Sequence, residues 1–273
     1  MQQTKEKKLI IATNSWIGYI PLFYAQSTGE LQKLHITLSL NVSLAEASNI
    51  YAMGQADMVT TTQHEYFTLQ DMTHNIFPIM LIDKSYGGDM VLSNKSLKEL
   101  HEAKKIDAYL EIDSINAEIL KSFLNQQKIK SSKINFINKD QEKIQTLENI
   151  PTQAILITTY SPYNITLIKK GFIELSSTKE ENLLVLDMLC GKRSVIEKEH
   201  KRLQKLKKVL DKAIDEIQHN PKVSYTYVKS YLNNISYEEY QKALQNIRWI
   251  NKPKSILLQK IDTLNIKTEY LLR

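Results

Sequence analysis

Two hydrophobic periods alternate along the first two thirds of the chain. Short apolar runs such as Leu9-Ile10-Ile11-Ala12 read as buried strands, and stretches with apolar residues three and four apart read as helices. On this pattern strands are expected over 8–13, 36–42, 57–61 and 76–82, with helices over 21–28, 44–53 and part of 64–72. A second series begins near Asp89, with strands over 90–92, 106–110, 134–137 and 154–158 and helices over 114–127, 141–148 and 161–170. The run Leu183-Leu184-Val185-Leu186-Asp187 reads as one more strand, and from about Ser194 onward the pattern is almost entirely helical. Such alternation implies mainly parallel sheets covered by helices. No repeat, low-complexity tract or Pro/Gly/Ser-rich linker interrupts it, which fits two lobes joined by short crossings better than two independent beads.

Composition narrows the picture. A chain of 273 residues with 42% hydrophobic and 24% charged content can bury a sizeable core. The single cysteine, Cys190, excludes an intramolecular disulfide framework and a multi-cysteine metal site, and its place after an apolar run suits a buried, inert thiol. The six histidines (35, 64, 74, 101, 200 and 219) show no metal-ligand spacing, and no cofactor is expected. A net charge of +6 invites a nucleic-acid reading. However, the densest basic run, Lys198 to Lys212, alternates with Leu203, Leu206, Leu210, Ala213 and Ile217 at helical spacing. The lysines therefore fill a solvated helix face, and no nucleic-acid partner is expected. No apolar run approaches a membrane span, and the polar start, Met1 to Lys8, lacks a signal-peptide pattern. That leaves either a cytosolic protein or a processed form carrying an added initiator methionine.

Seven glycines are few for this length, so their positions inform. Gly29, Gly54 and Gly171 fall where helices stop, and Gly87, Gly88 and Gly191 fall at the two crossings between blocks. The remaining one, Gly18, lies in Asn14-Ser15-Trp16-Ile17-Gly18-Tyr19-Ile20-Pro21, a polar, aromatic loop between a strand and a helix start. α/β proteins hold small ligands at such junctions, because the first amides of the helix point at whatever fills the loop.

These residues resemble the two-lobed, type II periplasmic substrate-binding proteins, in the branch of nitrate, sulfonate and taurine binders and thiamine-pyrimidine-precursor proteins. The resemblance runs from about Leu9 to Trp249. It rests on Trp16, Gly18, Tyr19, Pro21 and Leu22 in the opening loop, and on Ala25 and Gly29 after it. The turn Gly54-Gln55-Ala56-Asp57, the threonines 60, 61 and 62, and the crossing Ser85, Gly87 and Asp89 extend it. One departure stands out: the family's Glu-Pro-Tyr is Ser161-Pro162-Tyr163 here, so the ring is kept and the carboxylate lost. The implied fold is α/β and two-lobed, with mainly parallel sheets flanked by helices and a helical C-terminal return. Lobe 1 is expected at 1–88 with 189–273 and lobe 2 at 89–188, with crossings near 84–92 and 183–191.

The resemblance implies capture of a small-molecule ligand between the lobes. From lobe 1 the expected ligand-binding residues are Trp16, Tyr19, Thr61 and Thr62; from the crossing, Ser85, Tyr86 and Asp89. Lobe 2 would contribute Glu111, Ser114, Asn116, Tyr160 and Tyr163. Carboxylates at Asp89 and Glu111 favour a cation, helix N-termini favour an anion, and a zwitterion satisfies both. The implied role is non-enzymatic solute binding outside the cytoplasmic membrane by a monomer that serves an ABC permease. One alternative is an extracytoplasmic sensor domain joined to signalling domains in the same chain. Another is a cytosolic lyase or pyrimidine synthase on the same fold. Against a pyrimidine synthase stand Thr61, at the position where a lysine is expected, and the lack of a cysteine cluster.

Overall fold

The computed structural model describes residues 7–180 and 184–272. The chain begins with β1 (Leu9–Asn14), α1 (Ile20–Ser27), α2 (Glu30–Lys33), β2 (Ile36–Asn41), α3 (Leu44–Ala52), β3 (Met58–Thr61), α4 (Gln63–Thr73) and β4 (Phe77–Ser85). It continues through β5 (Asp89–Ser93), α5 (Leu97–Glu102), β6 (Ile106–Leu110), α6 (Ile115–Gln126), β7 (Ile134–Asn138), α7 (Gln141–Ile144), β8 (Ile155–Tyr160), α8 (Asn164–Lys169) and β9 (Ile173–Ser177). The return comprises β10 (Leu186–Gly191), α9 (Arg193–Lys198), α10 (His200–His219), α11 (Pro221–Val228), α12 (Tyr237–Leu244), β11 (Ile247–Trp249) and α13 (Ser255–Thr263).

Two sheets result, ordered β11-β4-β10-β3-β1-β2 and β7-β6-β8-β5-β9. In the first, β1 runs parallel to β2 and β3; in the second, β6 runs parallel to β7 and β8. The strands nearest the crossings run antiparallel: β10 against β3 and β4, and β5 against β8 and β9. A strand that brings the chain back from the other lobe enters its sheet from the opposite end, which accounts for the mixture of directions. Chain passes between the sheets at 86–88 and again between β9 and β10, so the cleft lies where both crossings meet. The helical return packs on the first lobe, with α10 burying Leu203, Leu206, Leu210 and Ile217 in the core shared with α1.

Local chemistry sets the helix starts that face the cleft. Thr62 and Glu65 form a capping box on α4, Ser114 caps α6, and Asp140 caps α7. The glycines expected to stop helices, Gly29, Gly54 and Gly171, have φ of 79°, 74° and 88°.

The structure differs from the periodicity in four places. Leu183 lies outside the described residues, and the strand expected there is β10, which starts at Leu186. Leu186, Asp187 and Met188 are thereby paired in the first sheet instead of belonging to the second lobe. The apolar run continues through Cys190, so its pattern could not fix the register. The helix expected over 141–148 stops at Ile144, because the carbonyls of Thr146 and Leu147 accept from Lys170 Nζ, each at 3.0 Å. The helix expected from 161 starts at Asn164, because Ser161 is held by two backbone bonds, one to Gly88 O and one from Ile17 N. Finally, β11 interrupts the helical return, and after Thr263 the tail is irregular, ending with Leu272 N donating to Ile79 O at 2.8 Å.

Candidate functional site

Sequence periodicity ends several elements at one place, the seam between the two sheets. The last residue of β1 puts Asn14 there, and the loop after it supplies Trp16. The start of α3 brings Leu44, and the capping residue of α4 brings Thr62. From the second lobe come Asp89 at the head of β5, Glu111 just past β6, Ser114, Ile115 and Asn116 at the head of α6, and Tyr160 at the end of β8. Val185 and Asp187 arrive with the return strand. Together they close around a cavity of only about 10 Å³, so the lobes lie nearly shut on one another here and must part to admit a solute. A roomier surface groove of about 360 Å³ lies between α1 and α10, but Lys208, Lys212 and Glu216 line it and no buried polar groups converge on it.

The aromatic wall is built edge to face. Trp16 and Tyr160 have ring centroids 5.9 Å apart at 81°, and Tyr160 and Tyr163 are 5.4 Å apart at 84°. Two glycines make room for the indole. A Cβ on Gly18 would come within 2.3 Å of Trp16 Nε1 and 2.1 Å of Asp83 Oδ2, and one on Gly88 within 2.3 Å of Trp16 Cη2. The loop glycine and the crossing glycine therefore serve the same ring.

Several bonds join the lobes around this space. Asn14 Nδ2 donates to Tyr160 OH at 2.9 Å, and Ile17 N donates to Ser161 O at 3.3 Å. Glu65 accepts from Thr62 N at 3.0 Å through one oxygen and from Ile115 N, the first amide of α6, at 3.1 Å through the other. The capping glutamate of one lobe thus also caps a helix of the other. At the rim, His64 Nδ1 meets Glu118 at 2.7 Å.

Carboxyl groups dominate the electrostatics. Asp89, Glu111 and Asp187 line the space, Glu65 and Asp83 stand close by, and all five are at most 5% exposed. Burial pushes Asp89 up to about 7 and Glu111 up to about 8, with the Glu65 charge adding to both. Burial and mutual repulsion hold Asp83 and Asp187 well above the usual carboxylate range, even though Trp16 Nε1 donates to the first at 3.3 Å and Tyr19 OH to the second at 2.5 Å. Among the described residues, no lysine, arginine or histidine lines the space. Among the described residues, no group of three His, Cys, Asp or Glu side chains is arranged to hold a metal ion.

Seven of the twelve residues expected from sequence meet here: Trp16, Thr62, Asp89, Glu111, Ser114, Asn116 and Tyr160. The other five do not line the space. Tyr19 is buried beneath it, bonded to Asp187, and Tyr163 stands behind Tyr160. Thr61 faces Cys190, at 3.4 Å from Sγ, and burial pushes that thiol up to about 12. Ser85 supports Asp89 from below, its Oγ accepting from Asp89 N at 3.1 Å, and Tyr86 faces outward, with the Arg248 guanidinium 3.9 Å from its ring centre. Sequence reasoning missed Asn14, Leu44, Ile115, Val185 and Asp187 among the lining, and Asp83 and Glu65 behind it. A signal existed for two of them. Asp83 and Asp187 are lone carboxylates inside otherwise apolar strand sequences, Ile79-Met80-Leu81-Ile82-Asp83 and Leu184-Val185-Leu186-Asp187-Met188-Leu189.

No family model matches the sequence, and no curated protein matches it significantly. Solved structures do match in fold. The alkanesulfonate-binding protein SsuA from Xanthomonas axonopodis pv. citri, bound to MOPS, superposes with a TM-score of 0.76 at 12% identity, over 96% of this chain and 92% of that one. The periplasmic aliphatic sulphonate binding protein SsuA from Escherichia coli gives 0.73 at 15% identity, over 95% and 92%. A ligand-binding component of an ABC-type import system from Staphylococcus aureus, with zinc bound, gives 0.74 at 13% identity, over 94% and 90%. The chain therefore has the two-lobed fold of type II periplasmic binding proteins, as its sequence motifs implied.

Proposed function

We propose that this chain is a solute-binding protein that captures a small polar organic molecule between its lobes and releases it unchanged. The observation that carries this reading is the convergence of both lobes on one small space, walled by rings and by buried polar atoms that lack partners. Asn14 Oδ1, Asp89 Oδ2, Asn116 Oδ1 and Asp187 Oδ2 are all buried without a hydrogen bond. A folded protein leaves such atoms unmatched at a cost of about 1–3 kcal/mol each, so a molecule that matches them has a ready source of affinity. Hinged lobes suit capture and release, since closing on a ligand needs only small changes where the two crossings pass. The neighbours named above support delivery to an ABC permease outside the cytoplasmic membrane. In addition, no helix among the described residues is long and apolar enough to cross a membrane.

Native mass spectrometry of the purified chain, followed by thermal shift against small amines, carboxylates, sulfonates and pyrimidines, tests this. The expected result is a retained or stabilising molecule whose mass is unchanged after incubation. Binding should be lost in Trp16→Ala and weakened in Tyr160→Phe, which removes only the hydroxyl that Asn14 donates to. Conversion of the molecule to a new mass would make the buried acids an acid–base site and the protein an enzyme.

A further inference from the structure

The charge of the captured molecule can be read from which groups in the cleft are already occupied. Two features compete in a cleft of this kind. Helix N-termini attract anions, and carboxylates attract cations. Here most of the helix-start amides of α4, α6 and α7 that face the cleft are spent within the protein. On α4, His64 N donates to Thr62 Oγ1 at 3.1 Å, and the amide of Glu65 is taken by the same capping box. On α6, Ile115 N donates to Glu65, Asn116 N to Ser114 Oγ at 3.2 Å, and Ala117 N to Ser114 O at 3.1 Å. On α7, Gln141 N donates to Glu111 at 3.2 Å. An anion entering the cleft would find these amides committed and three carboxyl groups in the wall.

The unmatched atoms point the other way. All four unpartnered atoms on the lining are oxygens: one each of Asp89 and Asp187, which accept once the acids are ionised, and the amide oxygens of Asn14 and Asn116, which only accept. The two amides are turned by their nitrogens. Asn116 Nδ2 faces Glu111 at 3.5 Å and Asn14 Nδ2 faces Tyr160 OH, so each presents its oxygen as the unused end. Both asparagines are essentially fully buried. Such a wall demands N–H donors. Trp16 and Tyr160 add ring faces and edges suited to a cationic head, while Leu44, Ile115 and Val185 offer an apolar side. The absence of a three-residue metal-ligand group among the described residues favours an organic group over a metal ion.

We propose that the cleft selects a small organic cation of the alkylammonium or amidinium class, its N–H groups donating to Asp89, Asp187, Asn14 and Asn116 with Glu111 as a further counter-charge. This rests on the reading of the cleft as a solute site and sets the protein apart from the sulfonate-binding neighbours of the same fold.

The test uses three probes of one chain length: propylammonium, propanesulfonate and the zwitterion 3-aminopropanesulfonate, with benzamidine as a ring-bearing cation. Isothermal titration and thermal shift are read on the whole chain and on Asp89→Asn, Asp187→Asn and Glu111→Gln. These amides imitate the protonated acids, so the variants should fold, and their unliganded melting curves check this. The expected result is binding of propylammonium or benzamidine at least tenfold tighter than propanesulfonate, weakened at least tenfold in each Asp variant. Preference for the sulfonate or the zwitterion, or cation binding indifferent to all three substitutions, overturns the charge assignment while leaving the solute-binding reading intact. Failure of every probe to bind, with no retained molecule in native mass spectrometry, overturns both.

Discussion

Buried charges occur in two regions of this molecule, and they are treated in opposite ways. Along α10, Arg202 is only 7% exposed and pairs with Glu199 at 2.9 Å while donating to Lys7 O at 2.7 Å. One turn on, Lys207 is 6% exposed and reaches both oxygens of Asp211 at 2.8 Å, and Asn251 donates to the same carboxylate at 2.6 Å. Each buried charge there has an opposite charge in contact. In the cleft five buried carboxyls gather with no basic side chain among the lining residues. The first arrangement is complete as folded. The second leaves the acids to keep their protons or to wait for a positive partner, because an unpaired charge in a dry interior costs far more than a paired one. A structure-only role explains the helix and the capping bonds of Glu65 and Glu111; it leaves the unmatched oxygens of Asp89 and Asp187 without a partner.

Cutting one partner in each region gives the largest contrast. Asp211→Ala strands the Lys207 ammonium and should cost about 3 kcal/mol in chemical denaturation. Asp187→Asn removes a carboxyl that repels Asp83, and should leave the empty protein as stable as before or more so. A comparable loss in both variants would erase the distinction between the two regions.

The pH dependence sharpens it further. Asp89 and Glu111 hold protons in the empty cleft up to about 7 and 8, whereas in the unfolded chain they lose them at ordinary carboxylate values. Folding therefore binds protons between about pH 4 and 8, and this contribution to stability is complete at acid pH and lost as pH rises through 7 and 8. The empty protein should melt at progressively lower temperature over that range. A cation needs the carboxylates ionised, so its affinity should move oppositely between pH 6 and 8, rising about tenfold where Asp89 must lose its proton and about fiftyfold where Glu111 must. The groups facing these two acids are Asp83, Asp187, Glu65, Asp140 and the Tyr160 and Tyr163 hydroxyls. On the outer side of Glu111, Lys139 stacks 5.3 Å above Tyr109 and Lys143 pairs with Asp140 at 2.7 Å. Melting curves and titrations at matched ionic strength that show no such opposition would remove the acids from the binding step.

The smallest effect belongs to the rim. The hydrogen bond to Glu118 raises the His64 pKa against the opposing effect of burial. A raised histidine contributes fully below its ordinary value near 6.5 and loses that contribution as pH climbs through the raised one. Glu118→Gln should return the His64 titration, followed by NMR, toward its ordinary value. The pair is half exposed, so the variant should weaken lobe closure by only about 0.5 kcal/mol. A His64 titration unchanged by Glu118→Gln would show that this contact does not form in solution.

Local sequence was enough to determine the strands around β1 and β6 and the aromatic loop with Trp16. Each of these depends on residues within a few positions of one another: a hydrophobic period, or a glycine beside a ring. The family resemblance carried by such local motifs implied seven of the lining residues, because ligand-facing groups cluster where strands end and helices start. Other features were decided only by the tertiary structure. Asp187 joined the cleft because β10 inserts between β3 and β4, a pairing with partners more than a hundred residues away. Tyr19 and Thr61 left the lining because Asp187 and Cys190 approach from that same strand. The occupancy of the helix-start amides was equally illegible, since it is set by Glu65 reaching from one lobe to the other. Whether a carboxyl is a paired surface charge or an unmatched buried one depends on what chain-distant segments bring beside it, and periodicity carries no information about that.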